Sequence, residues 1–295
     1  MSSVEIGGRR VRLTSLDRVL YAEAGFTKAD LVEYYAAVAP VLVPHLSGRP
    51  VTLRRFPEGI DGSGWYQHEC PPGAPAWVRT RVVTWPSGRA WTFCAVEDAA
   101  TLVWLANLGT IELHPFFVRA ERPDEPTAVV FDLDPGPPAG ISECCAVAVR
   151  LRVLLDALGL AVYAKLSGAL GLHLVVPLNA THTWAEAKAF ARAVAAVLVD
   201  EEPELVLDRQ RRDLRAGKVL VDWLQNDPTR STVAPYSLRV YGWPTVSAPV
   251  RWEEVEAAAD GQALALGPAD VLARLERDGD VHAPVLEVEQ RLPRL

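Results

Sequence analysis

Two aspartates separated by one residue close a short apolar run, and this spacing could build a metal site. The Val-Val-Phe run at 129–131 favours a buried strand, and a Pro-Gly pair follows the second aspartate directly. Residues i and i+2 of a strand face the same way, so Asp132 and Asp134 should project together. Carboxylate oxygens are the ligands that hard divalent cations prefer. An acidic strand end that enters a loop is the simpler explanation, and this motif alone does not exclude it.

A third aspartate, Asp222, stands inside another apolar run, between Val-Leu-Val at 219–221 and Trp223. An isolated buried carboxylate is costly, so such an acid is usually paired, bound to a metal or placed at a strand end that faces a cleft. Together with Asp132 and Asp134 it could hold a pair of metal ions for phosphoryl transfer. A salt bridge to an arginine is the alternative for Asp222 alone.

A glycine-containing turn and a later arginine could bind phosphates. The turn Ser-Gly-Ala-Leu-Gly at 167–171 joins two apolar runs, and its amides could hold phosphate oxygens. His173 follows in the next strand, where it could meet a triphosphate, and Arg239 could clamp phosphates through two parallel hydrogen bonds. Each feature taken alone has a structural explanation, namely a hairpin turn, a satisfied strand histidine and a surface arginine.

The elements that must position these residues divide into two patterns. Before residue 125 the sequence predicts a helix from Thr27, short β-runs over 49–91 and a helix over 96–108. From 126 onward it predicts a βαββαβ order: strands near 129–134, 161–166, 172–177 and 218–226, and helices over 142–158 and from 183. This order is typical of a ferredoxin-like or RNA-recognition-type module, in which the first and last strands can lie side by side.

We therefore predict an α+β fold in one domain, 1–295. An N-terminal module, 1–125, packs on a catalytic module, 126–295, that is built on an RNA-recognition-like sheet.

The amino-acid composition limits the classes of function that this protein can have. The chain has 295 residues, of which 49% are hydrophobic, enough for a full core, and it has no apolar stretch long enough for a membrane span. Four cysteines without a CxxC pair predict reduced thiols in a cytosolic protein. The net charge of −7 argues against a simple nucleic-acid binder, but residues 251–295 alone hold five arginines and ten acids. The rest of the chain is near neutral, which is compatible with a local basic groove.

Several motifs occur in the order seen in one family, the polymerase domain of bacterial ligase D, which belongs to the archaeo-eukaryotic primase superfamily. The resemblance covers roughly Val11 to Tyr241. The motifs that carry it in the second half are Phe131-Asp-Leu-Asp-Pro-Gly136, Ser167-Gly-x-x-Gly-Leu-His173, Val221-Asp-Trp-Leu-Gln-Asn226 and Pro235-Tyr-Ser-Leu-Arg239. Those in the first half are Leu16-Asp-Arg-Val-Leu-Tyr21, Thr27-Lys-Ala-Asp30, Gly48-Arg-Pro50 and Leu108-Gly-Thr-Ile-Glu-Leu-His114.

The resemblance implies a primase-polymerase fold and a DNA-dependent polymerase of non-homologous end joining that fills gaps and extends primers. It implies two divalent ions, Mn²⁺ or Mg²⁺, nucleoside triphosphates as substrates and a preference for ribonucleotides. The implied partners are DNA with gaps, overhangs or 5′-phosphate ends, together with Ku and a DNA ligase, and no membrane. The implied location is the bacterial cytoplasm, in association with the nucleoid.

The same resemblance assigns roles to residues by motif. The metal ligands would be Asp132, Asp134 and Asp222. Nucleotide contacts would come from Arg54, Arg55, His114, Ser167, His173, Gln225 and Arg239. The 5′-phosphate downstream of a gap would be bound by Arg18 and Lys28, and template bases would stack on Trp65 and Tyr66.

The chain departs from the family pattern at three positions. Ala169 and Leu170 stand where the family commonly has glycine and lysine, and His68 stands where it usually has lysine. A hydrogen bond to a charged group contributes about 1.5–3 kcal/mol, so these changes should weaken nucleotide binding.

The departures support one alternative, a primase-like module that is not an enzyme and is retained for binding DNA ends or recruiting partners. A second alternative is a phosphatase of the haloacid dehalogenase type, whose strand also ends in Asp-x-Asp. Gly136 stands where that chemistry normally needs threonine or valine, which argues against it.

Overall fold

The chain folds into two compact units that are not contiguous in sequence. The structure is a computed structural model that describes residues 2–85 and 87–293, so Met1 and Leu295, the ends of the predicted domain, lie outside the described residues. Unit 1 comprises Met1–Pro123, Ser231–Ser247 and Gly267–Asp280, and unit 2 comprises Asp124–Arg230, Ala248–Leu266 and Val281–Leu295. The predicted module boundary, after residue 125, lies close to the point where the chain first passes from unit 1 to unit 2, between Pro123 and Asp124. The later points where the chain passes from one unit to the other were not predicted.

The helices are α1 (Lys28–Leu46), α2 (Ala99–Asn107), α3 (Ile141–Ala157), α4 (Trp184–Glu201), α5 (Trp252–Ala259), α6 (Pro268–Asp278) and α7 (Pro284–Glu287). Two of them show why they begin where they do. The Asp30 amide donates to the Thr27 hydroxyl at 3.3 Å, and the Asp30 carboxylate accepts from the Thr27 amide at 2.6 Å. This capping box starts α1 where the sequence predicts it. The Asp98 carboxylate accepts from the Thr101 amide, so α2 begins at Ala99, slightly later than predicted.

The strands are β1 (Ser2–Ile6), β2 (Arg9–Leu13), β3 (Val19–Tyr21), β4 (Phe26–Thr27), β5 (Val51–Arg55), β6 (Trp65–Gln67), β7 (Thr80–Thr84), β8 (Ala90–Cys94), β9 (Thr110–Pro115), β10 (Val118–Arg119), β11 (Arg122–Pro126), β12 (Ala128–Pro135), β13 (Tyr163–Leu166), β14 (Leu172–Pro177), β15 (Val206–Leu207), β16 (Val219–Asp222), β17 (Leu238–Tyr241), β18 (Trp243–Val246) and β19 (Pro249–Val250).

Unit 1 is organised around a three-stranded antiparallel sheet in the order β6-β5-β9. Helix α1 buries Tyr34, Tyr35 and Val38, and the Tyr35 hydroxyl donates to the carbonyl oxygen of Ile111 at 2.6 Å. The helix and the sheet are thereby joined by a buried hydrogen bond. The hairpin β17–β18 lies beside β9, although it comes from a distant part of the sequence.

Unit 2 contains the predicted catalytic sheet. The six strands run in the order β15-β16-β12-β14-β13-β19, and the four predicted ones form the antiparallel core β16-β12-β14-β13. The first and last strands of the βαββαβ order, β12 and β16, are therefore neighbours as expected.

The alternation along β12 decides what each face carries. Val129, Phe131 and Leu133 belong to the core that also holds the buried side chains of α3 and α4. Because successive strand residues point to opposite faces, Asp132 and Asp134 project from the other face of the sheet. Hydrophobic burial of the first set thus fixes the direction of the acids.

The run that the sequence predicts as a strand over 218–226 ends earlier. Strand β16 stops at Asp222, and a single 3-10 turn follows over Trp223–Gln225. The cause is local, because the Asp222 carboxylate accepts from the Leu224 amide at 3.0 Å and caps the turn.

The prediction of four reduced thiols is wrong for one pair, because Cys70 and Cys94 form a disulfide. The Cys70 amide donates to the Thr92 carbonyl oxygen, which places the segment after β6 against β8. The two Cα atoms are then 4.7 Å apart, within the range that a disulfide spans. The sequence separation of 24 residues gave no hint of this contact. Cys144 and Cys145 are free, as predicted, and both are buried.

Among the described residues, no helix is long and apolar enough to cross a membrane.

Gly171 is required by a close backbone approach at the start of β14. A β-carbon at this position would lie 2.1 Å from the carbonyl oxygen of Leu133, which belongs to β12 and cannot rotate away. We expect Gly171→Ala to destabilise the fold by about 3 kcal/mol or more, because the two strands would have to separate. Chemical denaturation followed by circular dichroism measures this change. Gly140→Ala is the matched control, because its nearest neighbour would lie at 3.9 Å. Equal stability of the two variants would contradict the assignment.

Candidate active site

Asp132 and Asp222 lie directly opposite each other on neighbouring antiparallel strands of unit 2. The Gln225 side-chain amide donates to Oδ2 of Asp132 at 3.2 Å and to Oδ2 of Asp222 at 3.5 Å, so it bridges the two carboxylates. Burial and then the negative charge of Asp132 raise the pKa of Asp222 above its ordinary value. The sheet therefore holds together two acids that repel each other.

This pair has the chemistry of a divalent-cation site. Its donors are carboxylate oxygens, and the repulsion that raises the pKa of Asp222 is what a bound cation would relieve. Asp134 lies two residues after Asp132 on the same face, opposite Leu220. Across residues 2–85 and 87–293, no three His, Cys, Asp or Glu side chains are arranged as a metal-ligand group. The geometry brings together Asp132 and Asp222, which could hold an ion, and the roles of all three aspartates as metal ligands stay predictions.

A buried lysine and histidine extend the site along the neighbouring strands. His173 Nε2 lies 3.2 Å from Oδ1 of Asp132, and Lys165 Nζ lies 2.9 Å from His173 Nδ1. A lysine ammonium can only donate, so Nδ1 accepts and Nε2 carries the hydrogen that faces Asp132. Sequence reasoning missed Lys165, although a lysine within the predicted strand 161–166 was a detectable signal.

The turn at 167–171 satisfies much of its own backbone. The Ser167 hydroxyl oxygen accepts from the amides of Ala169 and Gly171, both at 3.1 Å. These two amides are therefore bonded within the turn, whereas the sequence suggested that the turn's amides could hold phosphates. Leu170, which replaces the usual lysine of the family, is exposed.

An arginine-rich segment beside Asp222 also escaped the sequence reasoning. Residues 209–218 hold five cations, and the segment packs on the turn after β12 through hydrogen bonds of Gly136 with Gly217 and Lys218. Arg215 Nη2 donates to Oε1 of Gln210 at 2.6 Å, and a hydrogen bond from Gln210 to Asp222 partly offsets the rise in the pKa of that acid. The density of arginines in a predicted loop was the available signal.

Unit 1 holds a second charged cluster, which surrounds the fully buried carboxylate of Glu112. Arg54 Nη1 lies 3.0 Å from Oε1, Arg239 Nη1 lies 3.3 Å from Oε2, and His114 Nε2 lies 2.7 Å from Oε2. The Val240 amide adds a hydrogen bond to Oε1 at 2.7 Å. Three of the residues predicted to contact the nucleotide are therefore gathered by one acid. Glu112 stands inside the motif that ends at His114, but sequence reasoning gave it no role.

The cluster fixes the protonation of its members. Burial alone would raise the pKa of Glu112, but the hydrogen bond from His114 and the charge of Arg239 outweigh it and lower the pKa to about 2. Burial lowers the pKa of His114, so its imidazole is neutral at pH 7 and donates Nε2–H to Glu112.

The predicted stacking residues lie on the exposed strand β6 of the same unit. Trp65 and Tyr66 are 44% and 56% exposed. The Arg55 guanidinium stands 5.1 Å above the Trp65 ring, and that of Arg54 stands 5.4 Å above the Tyr66 ring. Alternating rings and cations suit a nucleic-acid strand, since bases stack and phosphates pair with arginine.

Arg18 and Lys28 form a further group in unit 1. Burial and then the charge of Arg18 lower the pKa of Lys28. The Lys28 amide donates to the Arg18 carbonyl oxygen at 2.8 Å, which fixes the two backbones side by side. Arg18 forms an ion pair with Glu58. Two cations that repel each other and are held side by side by the backbone could bind an anion.

The Glu112 cluster makes stability depend on pH. The pKa of Glu112 falls from 4.5 to about 2 on folding, so its contribution is fully present above pH 4.5 and is lost as the pH drops through about 2. We expect Glu112→Gln to cost on the order of 3 kcal/mol at pH 7 and almost nothing near pH 2. Unfolding free energies of the wild type and the variant between pH 2 and 7 measure this difference. A pH-independent difference would contradict the linkage.

The geometry agrees with three comparisons. The family model described as "LigD, primase-polymerase domain" matches residues 27–282. The "Multifunctional non-homologous end joining protein LigD" of Mycolicibacterium smegmatis is 40% identical over 278 residues, which are 94% of this chain and 36% of that protein. The "Bifunctional non-homologous end joining protein LigD" of Bacillus subtilis is 32% identical over 84% of this chain and 40% of its own length. The chain thus spans little more than a third of these curated relatives.

Among solved structures, the polymerase domain from Mycobacterium tuberculosis ligase D in complex with DNA superposes with a TM-score of 0.88 at 36% identity. The match covers 95% of this chain and 99% of that one, and it agrees with the mixed α+β fold described above. The predicted resemblance is therefore confirmed, and the chain belongs to the family of LigD primase-polymerase domains, which are nucleotidyltransferases.

Proposed function

We propose that this protein is a DNA-dependent polymerase that fills gaps and extends primers at DNA ends in non-homologous end joining. The observation that carries the proposal is the pair Asp132 and Asp222, held opposite each other with Gln225 between them and with the pKa of Asp222 raised. The relatives' names place them in non-homologous end joining, and the solved neighbour was obtained with DNA. We extend both properties, a role in non-homologous end joining and DNA binding, to this chain as part of the proposal.

The acids position the reactants rather than react themselves. We assign Asp132 and Asp222 to metal binding, with Asp134 as the third ligand on the same face. Two bound ions, Mn²⁺ or Mg²⁺, would stabilise the negative charge that develops as a primer 3′-hydroxyl attacks the α-phosphorus of a nucleotide and pyrophosphate leaves. Gln225 orients both carboxylates through its amide, and His173 orients Asp132 through Nε2–H.

Lys165 offers a replacement for the charge that the turn lacks. The family's usual lysine is Leu170 here, but Lys165 lies at the base of the same hairpin, directly opposite His173 across β13 and β14. The resemblance assigns contacts with the nucleoside triphosphate to Ser167, His173, Gln225, Arg54, Arg55, His114 and Arg239, and we adopt these assignments in the proposal. A preference for ribonucleotides belongs to the same proposal and rests on the resemblance.

DNA contacts are assigned to two exposed rings and a pair of cations in unit 1, of which Lys28 is buried. Trp65 and Tyr66 present rings for template bases, and Arg18 with Lys28 presents a charge pair for a 5′-phosphate. We further propose Ku and a DNA ligase as partners, and the bacterial cytoplasm in association with the nucleoid as the location.

One observation favours a second candidate, a DNA-end-binding module with little or no polymerase activity. Two amides of the turn at 167–171 are bonded to Ser167, and the tip carries the exposed Leu170 in place of a cation. This candidate requires DNA binding without synthesis.

One experiment with variants of Asp132 and Asp222 distinguishes the two candidate functions. We expect Asp132→Asn and Asp222→Asn to abolish extension across a gap that carries a 5′-phosphate, because each removes a carboxylate from the metal pair. Binding of the same DNA should stay within about twofold of the wild type, since neither acid binds phosphate directly. Labelled primer extension with Mn²⁺ and ribo- or deoxynucleotides, beside fluorescence anisotropy, measures both.

Asp156→Asn is the matched control, because it changes an exposed aspartate on α3 of the same unit. Extension by the Asp132 variant would refute the metal assignment. A wild type that binds the gap but never extends would establish the second candidate.

The 5′-phosphate site gives a separate prediction. We expect Lys28→Ala to reduce the preference for a 5′-phosphate over a 5′-hydroxyl gap about tenfold, because a charged hydrogen bond is lost. Glu58→Gln should raise that preference, since it removes the acid that pairs with Arg18. Anisotropy titrations at one fixed salt concentration measure both effects. A uniform loss of affinity for both gaps would indicate non-specific contacts instead.

A further inference from the structure

Two exposed aromatic side chains of unit 1 have no part in the function described so far. Tyr241 and Trp243 flank Gly242 at the tip of the hairpin β17–β18, and they are 43% and 57% exposed. Among the described residues, the aromatic side chains with large exposure are these two and the predicted stacking pair Trp65 and Tyr66. Rings of this size are normally buried, so two adjacent exposed ones mark a binding surface.

The strand register places both rings on one face of the hairpin. Tyr241 pairs directly with Trp243, and Arg239 pairs directly with Thr245. Residues opposite each other and residues two apart along a strand share a face, so these four side chains lie together. The other face carries Leu238 and Val246, which are buried. The core therefore accounts for one face of the hairpin and leaves the aromatic face unexplained.

The aromatic face continues into the charged cluster around Glu112. Arg239 shares the face with both rings and contacts Glu112, whose other oxygen pairs with Arg54. Arg54 in turn stands above the ring of Tyr66. The cations Arg54 and Arg239 thus have exposed aromatic rings on both sides, within one unit. A surface that alternates rings and guanidinium groups matches a ligand that alternates bases and phosphates.

We propose that Tyr241 and Trp243 form a second stacking platform for unpaired bases of a single DNA strand. Arg239 lies two residues from Tyr241, about 7 Å along the strand, and adds a positive charge beside the platform. Stacking needs no base-specific hydrogen bond, so the platform accepts any sequence. The inference rests on the proposed function for its ligand, because a protein that acts at DNA ends meets single-stranded overhangs.

A photochemical experiment locates the contact directly. The full chain is irradiated with a short oligothymidylate that carries 5-iodouracil, and trypsin then cuts after Arg239 and Arg251. The resulting peptide, 240–251, contains both rings and no other aromatic residue. We expect the crosslink to map to this peptide as well as to the segment with Trp65 and Tyr66. Labelling by 5-iodouridine triphosphate, with none by the oligonucleotide, would overturn the proposal in favour of a free-nucleotide contact.

Affinity provides the second measurement. We expect the double variant Tyr241→Ala/Trp243→Ala to bind the oligothymidylate about tenfold more weakly, whereas Trp243→Phe, which keeps a ring, should stay near the wild type. Val153→Ala is the matched control, because it removes an equally exposed apolar side chain from α3. Thermal unfolding shows whether each variant is folded. Unchanged affinity of a folded double variant would overturn the proposal, and so would a wild type without a crosslink at 240–251.

The experiments distinguish a failure of the second platform from a failure of the proposed function. A wild type that crosslinks at 240–251 but never extends a primer contradicts only the polymerase assignment. A wild type that extends primers without this crosslink contradicts only the second platform. Asp222→Asn should leave the crosslink unchanged, because Asp222 is not part of the aromatic face of the hairpin β17–β18.

Discussion

Unit 2 holds Asp132 and Asp222 side by side although their negative charges repel each other, and the residues around them are arranged around this repulsion. A protein avoids placing two carboxylates opposite each other in a sheet, because each raises the cost of ionising the other. Here the hydrophobic core accounts for the arrangement, since Phe131 and its neighbours on β12 must face α3 and α4. The alternation of the strand then leaves the acids on the other face. The fold thus holds a charge arrangement that is unfavourable without a cation.

The surroundings of this pair reduce the cost without removing it. Gln225 donates to both carboxylates, His173 donates to Asp132, and Lys165 lies behind His173. Each of these groups can orient a carboxylate while leaving its charge in place. A lysine or arginine paired directly with the acids would neutralise them and compete with a metal ion. Lys165 instead contacts His173, the partner of Asp132, and the charge of Arg230 partly offsets the raised pKa of Asp222.

In unit 1 it is two cations, not two acids, that lie close together. Arg54 and Arg239 would repel each other if they stood alone, and the buried carboxylate of Glu112 holds them together. The carboxylate is ionised at neutral pH because its partners lower its pKa to about 2. Two cations and one anion leave a net positive charge, which suits a site for phosphates. Glu112 is therefore a positioning residue, and its place inside a recognisable motif has a physical reason.

The sequence by itself determined the order of the four central strands and two helices of unit 2, the pairing of β12 with β16 and the family of the chain. These features depend on local patterns: apolar runs, capping residues and motifs whose side chains alternate along one strand. The tertiary structure alone decided the partners that lie far apart in sequence. Glu112 with Arg239 and Cys70 with Cys94 are contacts that no spacing could indicate, because each depends on how separate segments pack. The same reason explains why segments 231–247 and 267–280 belong to unit 1, since long-range packing decides unit membership and sequence position does not.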